Sequence, residues 1–233
     1  VSKCKVMMTA SKEKMCTKLN GQVMDQVKDH VYLGNVISED GGRMKDLEQR
    51  IKDSKGVVNE SIFICKETQL STVRLRFVDM LRKSCLDSKL KYGCAFWNVK
   101  SRKVINDLNK IKISLLKRVL EVPQSTPSIA IQYEFGICDL DLEVLMEKVI
   151  LAVQVVQLND NRVGRQLMEA LMVKNVGGFC SEVVDACLTL KIGNFSDLIG
   201  ITHIRKYLKK KLVELQKEIV FMRMLESTKM KIP

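Results

Sequence analysis

The stretch Tyr32-Leu33-Gly34-Asn35-Val36-Ile37-Ser38-Glu39-Asp40-Gly41-Gly42 divides the chain into two kinds of pattern. On its N-terminal side, apolar residues come in short runs broken by turn formers. On its C-terminal side they recur every three or four positions. Lys5-Val6-Met7-Met8 is one such short run, and Asn20-Gly21 is a strong two-residue hairpin signal, since a tight hairpin turn needs positive φ at its central residues. Val23, Val27, Val31, Leu33, Val36 and Ile37 supply strand-like material beyond it. Asp40-Gly41-Gly42 then ends the β region and launches helices.

From Arg43 the period is helical. Met44, Leu47, Ile51, Ser54, Val58, Ile62 and Cys65 form one stripe. A second helix is predicted from Ser71, a capping hydroxyl, through Val73, Phe77, Val78, Leu81, Cys85, Leu86 and Leu90 to a stop at Gly93. A third is predicted from near Ser101, with Ile105, Leu108, Ile111, Leu115, Leu116 and Val119 on its apolar face, ending before Pro123. Ser125-Thr126-Pro127 predicts another start, with proline at the first helical position, and Gly136 its end. Asp139 or Asp141 opens the most apolar helix, running through Leu158 and so expected between other helices. Shorter helices near 162–174 and 180–190 and a last one from about Thr202 to Glu226 complete the chain. The best place for a boundary in the later part lies around Asn175 to Gly178.

The 233 residues are enough to bury a real core, and 46% of them are hydrophobic against 5% aromatic. That balance favours a mainly α protein over a sandwich or barrel. The net charge is +12, and it is unevenly spread. Residues 43–122 hold 19 basic against 9 acidic residues and 201–233 hold 9 against 3, whereas 123–200 hold 5 against 10. The two basic blocks are candidate polyanion-binding surfaces. The plain alternative is lysine that keeps a helical surface hydrated. Eight cysteines at irregular spacing, with no C-x-x-C pair, predict a reduced, intracellular protein, cytoplasmic or nuclear. No apolar run reaches the roughly 18–20 residues needed to cross a bilayer, so no membrane partner is expected.

Several local motifs, taken in order, resemble the reverse transcriptases of non-LTR (LINE-like) retrotransposons. Lys3-Cys4-Lys5-Val6-Met7 looks like the lysine-rich strand beyond the catalytic hairpin, and Leu19-Asn20-Gly21-Gln22 with Tyr32-Leu33-Gly34 looks like the hairpin that helps hold the primer end. Glu48-Gln49-Arg50-Ile51 is similar to the start of the first thumb helix, and Leu90-Lys91-Tyr92-Gly93-Cys94-Ala95-Phe96-Trp97 to the element after the second. Ser125-Thr126-Pro127, Glu134-Phe135-Gly136 and Leu158-Asn159-Asp160-Asn161-Arg162 resemble the helical region downstream. The match covers roughly residues 1–172. The resemblance implies residues 1–42 as a β-hairpin remnant of a palm, 43–122 as a basic thumb-like helical bundle, and 123–233 as a post-thumb helical region with a basic last helix. It also implies that the catalytic Tyr-x-Asp-Asp aspartates of the family lie upstream of this chain.

A thumb grips phosphates with aligned Lys and Arg, which release counterions but read no sequence. The expected contacts are Arg50, Lys52 and Lys55 on the first helix, Arg74, Arg76, Arg82, Lys83, Lys89 and Lys91 on the second, and Arg205, Lys209 and Lys210 on the last. Their spacing spreads them over more than one face, so some of them are ordinary solvated charge. Tyr32, Phe96 and Trp97 are read as packing residues rather than base-stacking platforms.

Catalytic chemistry is not expected. Asp139-x-Asp141 reads as a helix start rather than a metal site. His30 and His203 lie far apart without cysteine partners at zinc spacing, and no P-loop, G-x-S-x-G or G-x-G-x-x-G occurs. No cofactor is expected. The leading reading is thus non-catalytic binding of RNA or DNA. Its rivals are a protein-interaction or self-associating module, using Met7, Met8, Val31, Leu33 and Val36 of the hairpin, and a fragment of an active reverse transcriptase.

Overall fold

The computed structural model describes residues 4–8, 16–67, 74–97, 102–174 and 178–229, together with the backbone but not the side chains of Glu67, Arg74, Leu75, Arg102 and residues 227–229. Ser71, Val73, Ser101 and the stretch 175–177 lie outside the described residues, so the helix starts and the boundary read there do too.

The fold is mainly α, with small strand ladders confined to the N-terminal region. β1 (Lys5–Val6) runs parallel to β4 (Asp25–Gln26). β2 (Lys18–Leu19) and β3 (Gln22–Val23) form the hairpin read from Asn20-Gly21, with Lys18 opposite Val23 and both turn residues at positive φ. β5 (Asp29–Tyr32) and β6 (Asn35–Ser38) form a second hairpin around Leu33 and Gly34, at φ 48° and 79°. Leu33 is therefore a turn residue rather than strand material, and the glycine after it supplies the freedom that leucine lacks.

Ten helices follow among the described residues: α1 (Met44–Glu67), α2 (Arg74–Leu81), α3 (Ser88–Lys91), α4 (Arg102–Val119), α5 (Ser128–Phe135), α6 (Leu140–Val156), α7 (Val163–Val173), α8 (Phe179–Thr189), α9 (Phe195–Leu198) and α10 (Ile204–Lys229). The periodicity found most of them to within a few residues. Two details differ. Pro127 caps α5 rather than opening it, and the four-residue α9 is too short to leave a periodic signal.

The second predicted helix is also not uniform. Between α2 and α3 the chain widens into a π-helical turn over Arg82–Asp87. That geometry brings positions five apart onto one face, and Arg82 Nη1 accordingly donates to Asp87 Oδ2 at 2.6 Å. Gly93 ends the element at φ 68°, and a 3-10 turn, Cys94–Phe96, follows.

The first core gathers Leu47 and Val58 of α1, Leu86, Leu90 and Trp97 from the π-turn onward, and Leu108 and Leu116 of α4. A second core joins Met146, Val149 and Val153 of α6 to Ala186, Leu208 and Leu212. A third, smaller one holds Val156, Met168, Cys180 and Val183. The apolar helix α6 contributes to all three, since Leu140 and Val144 belong to the first core and Ala152 and Val156 to the third. Hydrophobic residues all round a helix bury it between neighbours, as the sequence implied.

Two lysines reinforce these junctions. The ammonium of Lys112 donates to Glu143 at 2.7 Å and to the Cys138 carbonyl at 3.2 Å. Lys148, fully buried, donates to the Trp97 carbonyl at 2.8 Å and to the Glu182 carboxylate. Buried charge persists only when paired in this way.

Candidate polyanion-binding surface

The cations expected to hold phosphate separate into two sets. Arg50 is buried, at 7% exposure. Its guanidinium donates to Asp46 at 3.1 Å, to the Lys89 carbonyl at 3.0 Å and to Asn35 at 2.6 Å, and it lies over the rings of Tyr92 and Trp97. Arg82, at 5% exposure, is shared between Asp79 and Asp87. Both arginines are buried and direct most of their donors to partners inside the protein, so the expected surface loses them.

Lys91 is partly buried between Glu143 at 3.1 Å and Asp87 at 3.7 Å. Burial alone would lower its pKa, but those two carboxylates overcome it and hold the ammonium above the usual lysine range. Lys91 is therefore another structural cation rather than a phosphate contact. Lys83 is exposed, yet it pairs with Asp79 at 2.5 Å. Arg205 is exposed and makes a two-pronged contact to Glu147 at 2.5 and 2.8 Å. Lys52, Lys55, Arg76, Lys89, Lys209 and Lys210 are exposed and form no ion pair among the described residues. The Arg74 side chain lies outside the described residues.

Part of the signal separating the two sets was present in the sequence, although Glu48 precedes Lys52 by four without pairing with it and the partner of Arg205, Glu147, is distant in the chain. Asp46 precedes Arg50 by four positions, Asp79 precedes Arg82 by three and Lys83 by four, and Asp87 precedes Lys91 by four. Carboxylates at these intervals sit beside the cation on a helix and neutralise it.

The free cations of α1 face a row on α4 that the sequence reading passed over. α1 and α4 lie side by side, and the groove between them forms two connected recesses of about 450 and 440 Å³. Lys55 and Lys66 stand on the α1 rim, Lys110 and Arg118 on the α4 rim, while Ile51, Ile62 and Val122 supply apolar floor. Lys103 adds charge beside the α4 rim. The spacing Lys103, Asp107, Lys110, Ser114, Arg118 is a helical stripe opposite the buried face of α4, and that pattern was the available clue.

Asp107 interrupts the basic row. A hydrogen bond from Lys110, with the Lys103 and Lys55 charges nearby, holds its carboxyl below the usual carboxylate range. Lys117 faces the same groove, but its ammonium is directed inward to the Gln124 carbonyl at 2.9 Å. A further recess, of about 710 Å³, lies at the start of α10, where Lys206 and Lys209 stand beside His203, Thr202 and Gln154.

Asp139 lies at the start of α6, as read from sequence, and its carboxylate accepts from Gln132 at 2.5 Å and pairs with Arg223 at 3.0 Å. Among the described residues, no group of three or more His, Cys, Asp or Glu side chains could hold a metal ion, and no helix is long and apolar enough to cross a membrane. Trp97 is buried as a packing residue, but Tyr32 and Phe96 are exposed, contrary to their expected packing role.

Comparison with protein-family models, with curated proteins and with solved structures returns no similar protein.

Proposed function

We propose that this protein holds the phosphate backbone of RNA or DNA without performing chemistry on it, inside the cell, in the cytoplasm or nucleus. The observation that carries this reading is the α1–α4 groove, where Lys55 and Lys66 face Lys110 and Arg118 across an apolar floor. Cations that a fold keeps exposed and mostly unpaired, on two facing rims, attract a polyanion by counterion release. Lys209 and Lys210 of α10 are exposed as well, and Lys209 lines a separate recess at the start of that helix. Descent from the thumb of a non-LTR retrotransposon reverse transcriptase would account for a gripping surface of this kind, and the ordered sequence motifs support that origin.

The test is fluorescence anisotropy of labelled RNA and DNA against the protein across a salt series. Micromolar or tighter binding is expected at low salt, with affinity falling steeply as salt rises, by about 0.7–0.9 log units per log unit of salt for each phosphate neutralised. No binding at about 50 mM salt would reject the reading.

A second reading, a protein-interaction or self-associating module, is favoured by the hairpin of β5 and β6. Val31 and Leu33 there are 63% and 71% exposed, with Tyr32 exposed between them. Apolar side chains on an isolated two-stranded ladder tend to find a covering surface. Light scattering at several concentrations tests self-association. A strict monomer whose behaviour is unchanged by Leu33→Ser removes that form of the reading.

A further inference from the structure

We infer that the occupant of the α1–α4 groove is a single polynucleotide strand rather than a duplex. This inference rests on the backbone-holding reading above and names its substrate class. The two recesses share Asn59 and Arg118, so they adjoin along one groove, with that pair bridging it between them. From Ile51 to Lys66 its α1 rim extends about 22 Å, at about 1.5 Å per helical residue. Helices packed in direct contact have axes only about 8–10 Å apart. A groove that narrow admits one sugar–phosphate chain. A duplex would rest on the two rims and leave the floor empty.

The chemistry of the walls agrees. Cations stand on both sides, so phosphates of one strand passing along the channel meet charge from α1 and from α4 in turn. Ile51, Ile62 and Val122 are half-buried and apolar, which suits the faces of unstacked bases and offers nothing to a duplex whose bases are stacked inside. Among the described residues no aromatic ring lines the groove, so binding is expected to rest on phosphate contacts and to depend strongly on salt.

Arg118 is the central contact. Its guanidinium donates to Asn59 across the channel at 3.4 Å, a long hydrogen bond that a phosphate displaces readily. A strand entering the groove exchanges this weak crossing contact for a charge-assisted one. Asp107 and Glu121 oppose it, as the two carboxylates that line the groove.

The experiment compares a labelled single-stranded 12-mer with its duplex on the full chain, using wild type, Lys55→Gln, Arg118→Gln, Asp107→Asn and the α10 control Lys209→Gln. The single strand is expected to bind more tightly than the duplex at equal salt. Lys55→Gln and Arg118→Gln each lower the single-strand salt slope by about 0.7, which at about 0.1 M salt is about a fivefold loss. Asp107→Asn strengthens single-strand binding. Lys209→Gln leaves the preference for the single strand unchanged.

Duplex binding as tight as single-strand binding, weakened equally by the groove variants, overturns the inference while the backbone-holding reading stands. Single-strand binding that the groove variants leave untouched overturns it as well. Equal competition by a poly-glutamate peptide overturns it in favour of unselective anion binding. Failure of both nucleic acids to bind at low salt removes the parent reading, and this inference with it.

Discussion

Arg50 donates a 2.6 Å hydrogen bond to the side-chain oxygen of Asn35, fastening the first helix of the bundle to the second strand of the β5–β6 hairpin. The same guanidinium reaches Asp46 and the Lys89 carbonyl, so one side chain ties three segments together.

Arg50→Ala is accordingly expected to cost about 3 kcal/mol or more, because it leaves Asp46, 2% exposed, as an uncompensated buried charge. Arg50→Lys keeps the charge but loses the planar fork, and recovers only part of that loss. Urea denaturation measures both. At low denaturant the salt slope for oligonucleotide binding should be unchanged in either variant. A reduced slope would return Arg50 to the ligand surface.

Gly93 touches the same arrangement from the other side. It sits at φ +68°, and a Cβ built there would lie 2.5 Å from the Asn35 oxygen that receives Arg50. Gly93→Ala is expected to destabilise by on the order of 2 kcal/mol, from backbone strain together with displacement of Asn35. In an Asn35→Ala background the collision disappears and only the backbone part remains, so the two changes should be clearly non-additive in a double-mutant cycle. Additivity would show that the contact carries no energy.

Two neighbouring carboxylates on α6 predict opposite responses to pH. Burial pushes Glu143 upward, but Lys112 and Lys91 outweigh it and hold the folded-state pKa below its ordinary 4.5. The stability Glu143 contributes is therefore present above about pH 4.5 and lost as pH falls through the lowered value. Asp141 is shifted up from 3.8, by burial and by the Asp139 charge, and its Oδ1 is buried without a hydrogen-bond partner among the described residues. A carboxyl raised in this way costs stability once it ionises, as pH rises through the folded-state value. Asp141→Asn should raise the denaturation midpoint at neutral pH and do nothing at strongly acidic pH. Glu143→Gln should lower it at neutral pH, and the deficit should shrink in acid.

Thiol reactivity divides along burial. Cys4, Cys16 and Cys85 are exposed, while Cys65, Cys94, Cys138, Cys180 and Cys187 are buried. Burial pushes the Cys94 thiol up to about 12, and Cys138 and Cys187 up to about 11, so few thiolates exist there at neutral pH. An aromatic disulfide reagent should label Cys4, Cys16 and Cys85 in the native protein and the other five only after unfolding. Rapid labelling of Cys94 in the folded state would contradict its packing.

The helical body was legible because its apolar stripes repeat over several turns. Leu47, Val58, Leu108, Leu116, Leu208 and Leu212 all lie where the period of 3.6 places them, in the interior. Cys85 shows the limit of that pattern. It falls on the predicted stripe of the second helix, yet the π-turn over Arg82–Asp87 rotates it outward, and a local change of pitch has no compositional signature. The candidate surface was harder to see than the fold. Charge counts located the basic block, but whether a cation is free depends on what lies three, four or five positions away and on which helix packs beside it. Asp46 and Asp79 offered that information for Arg50 and Arg82. Nothing local revealed that Lys55 and Arg118, sixty-odd residues apart, line the same channel.

The sharing of α6 among three cores has a practical result for anyone who wishes to isolate the grooved half. Excising residues 43–122 would strip Trp97 of the ammonium on its carbonyl and bare the faces of Leu108 and Leu116 that α6 helps to cover. The channel and the later helices must therefore melt together. Fragments meant to keep the α1–α4 groove in its native shape should accordingly carry the chain past Val156.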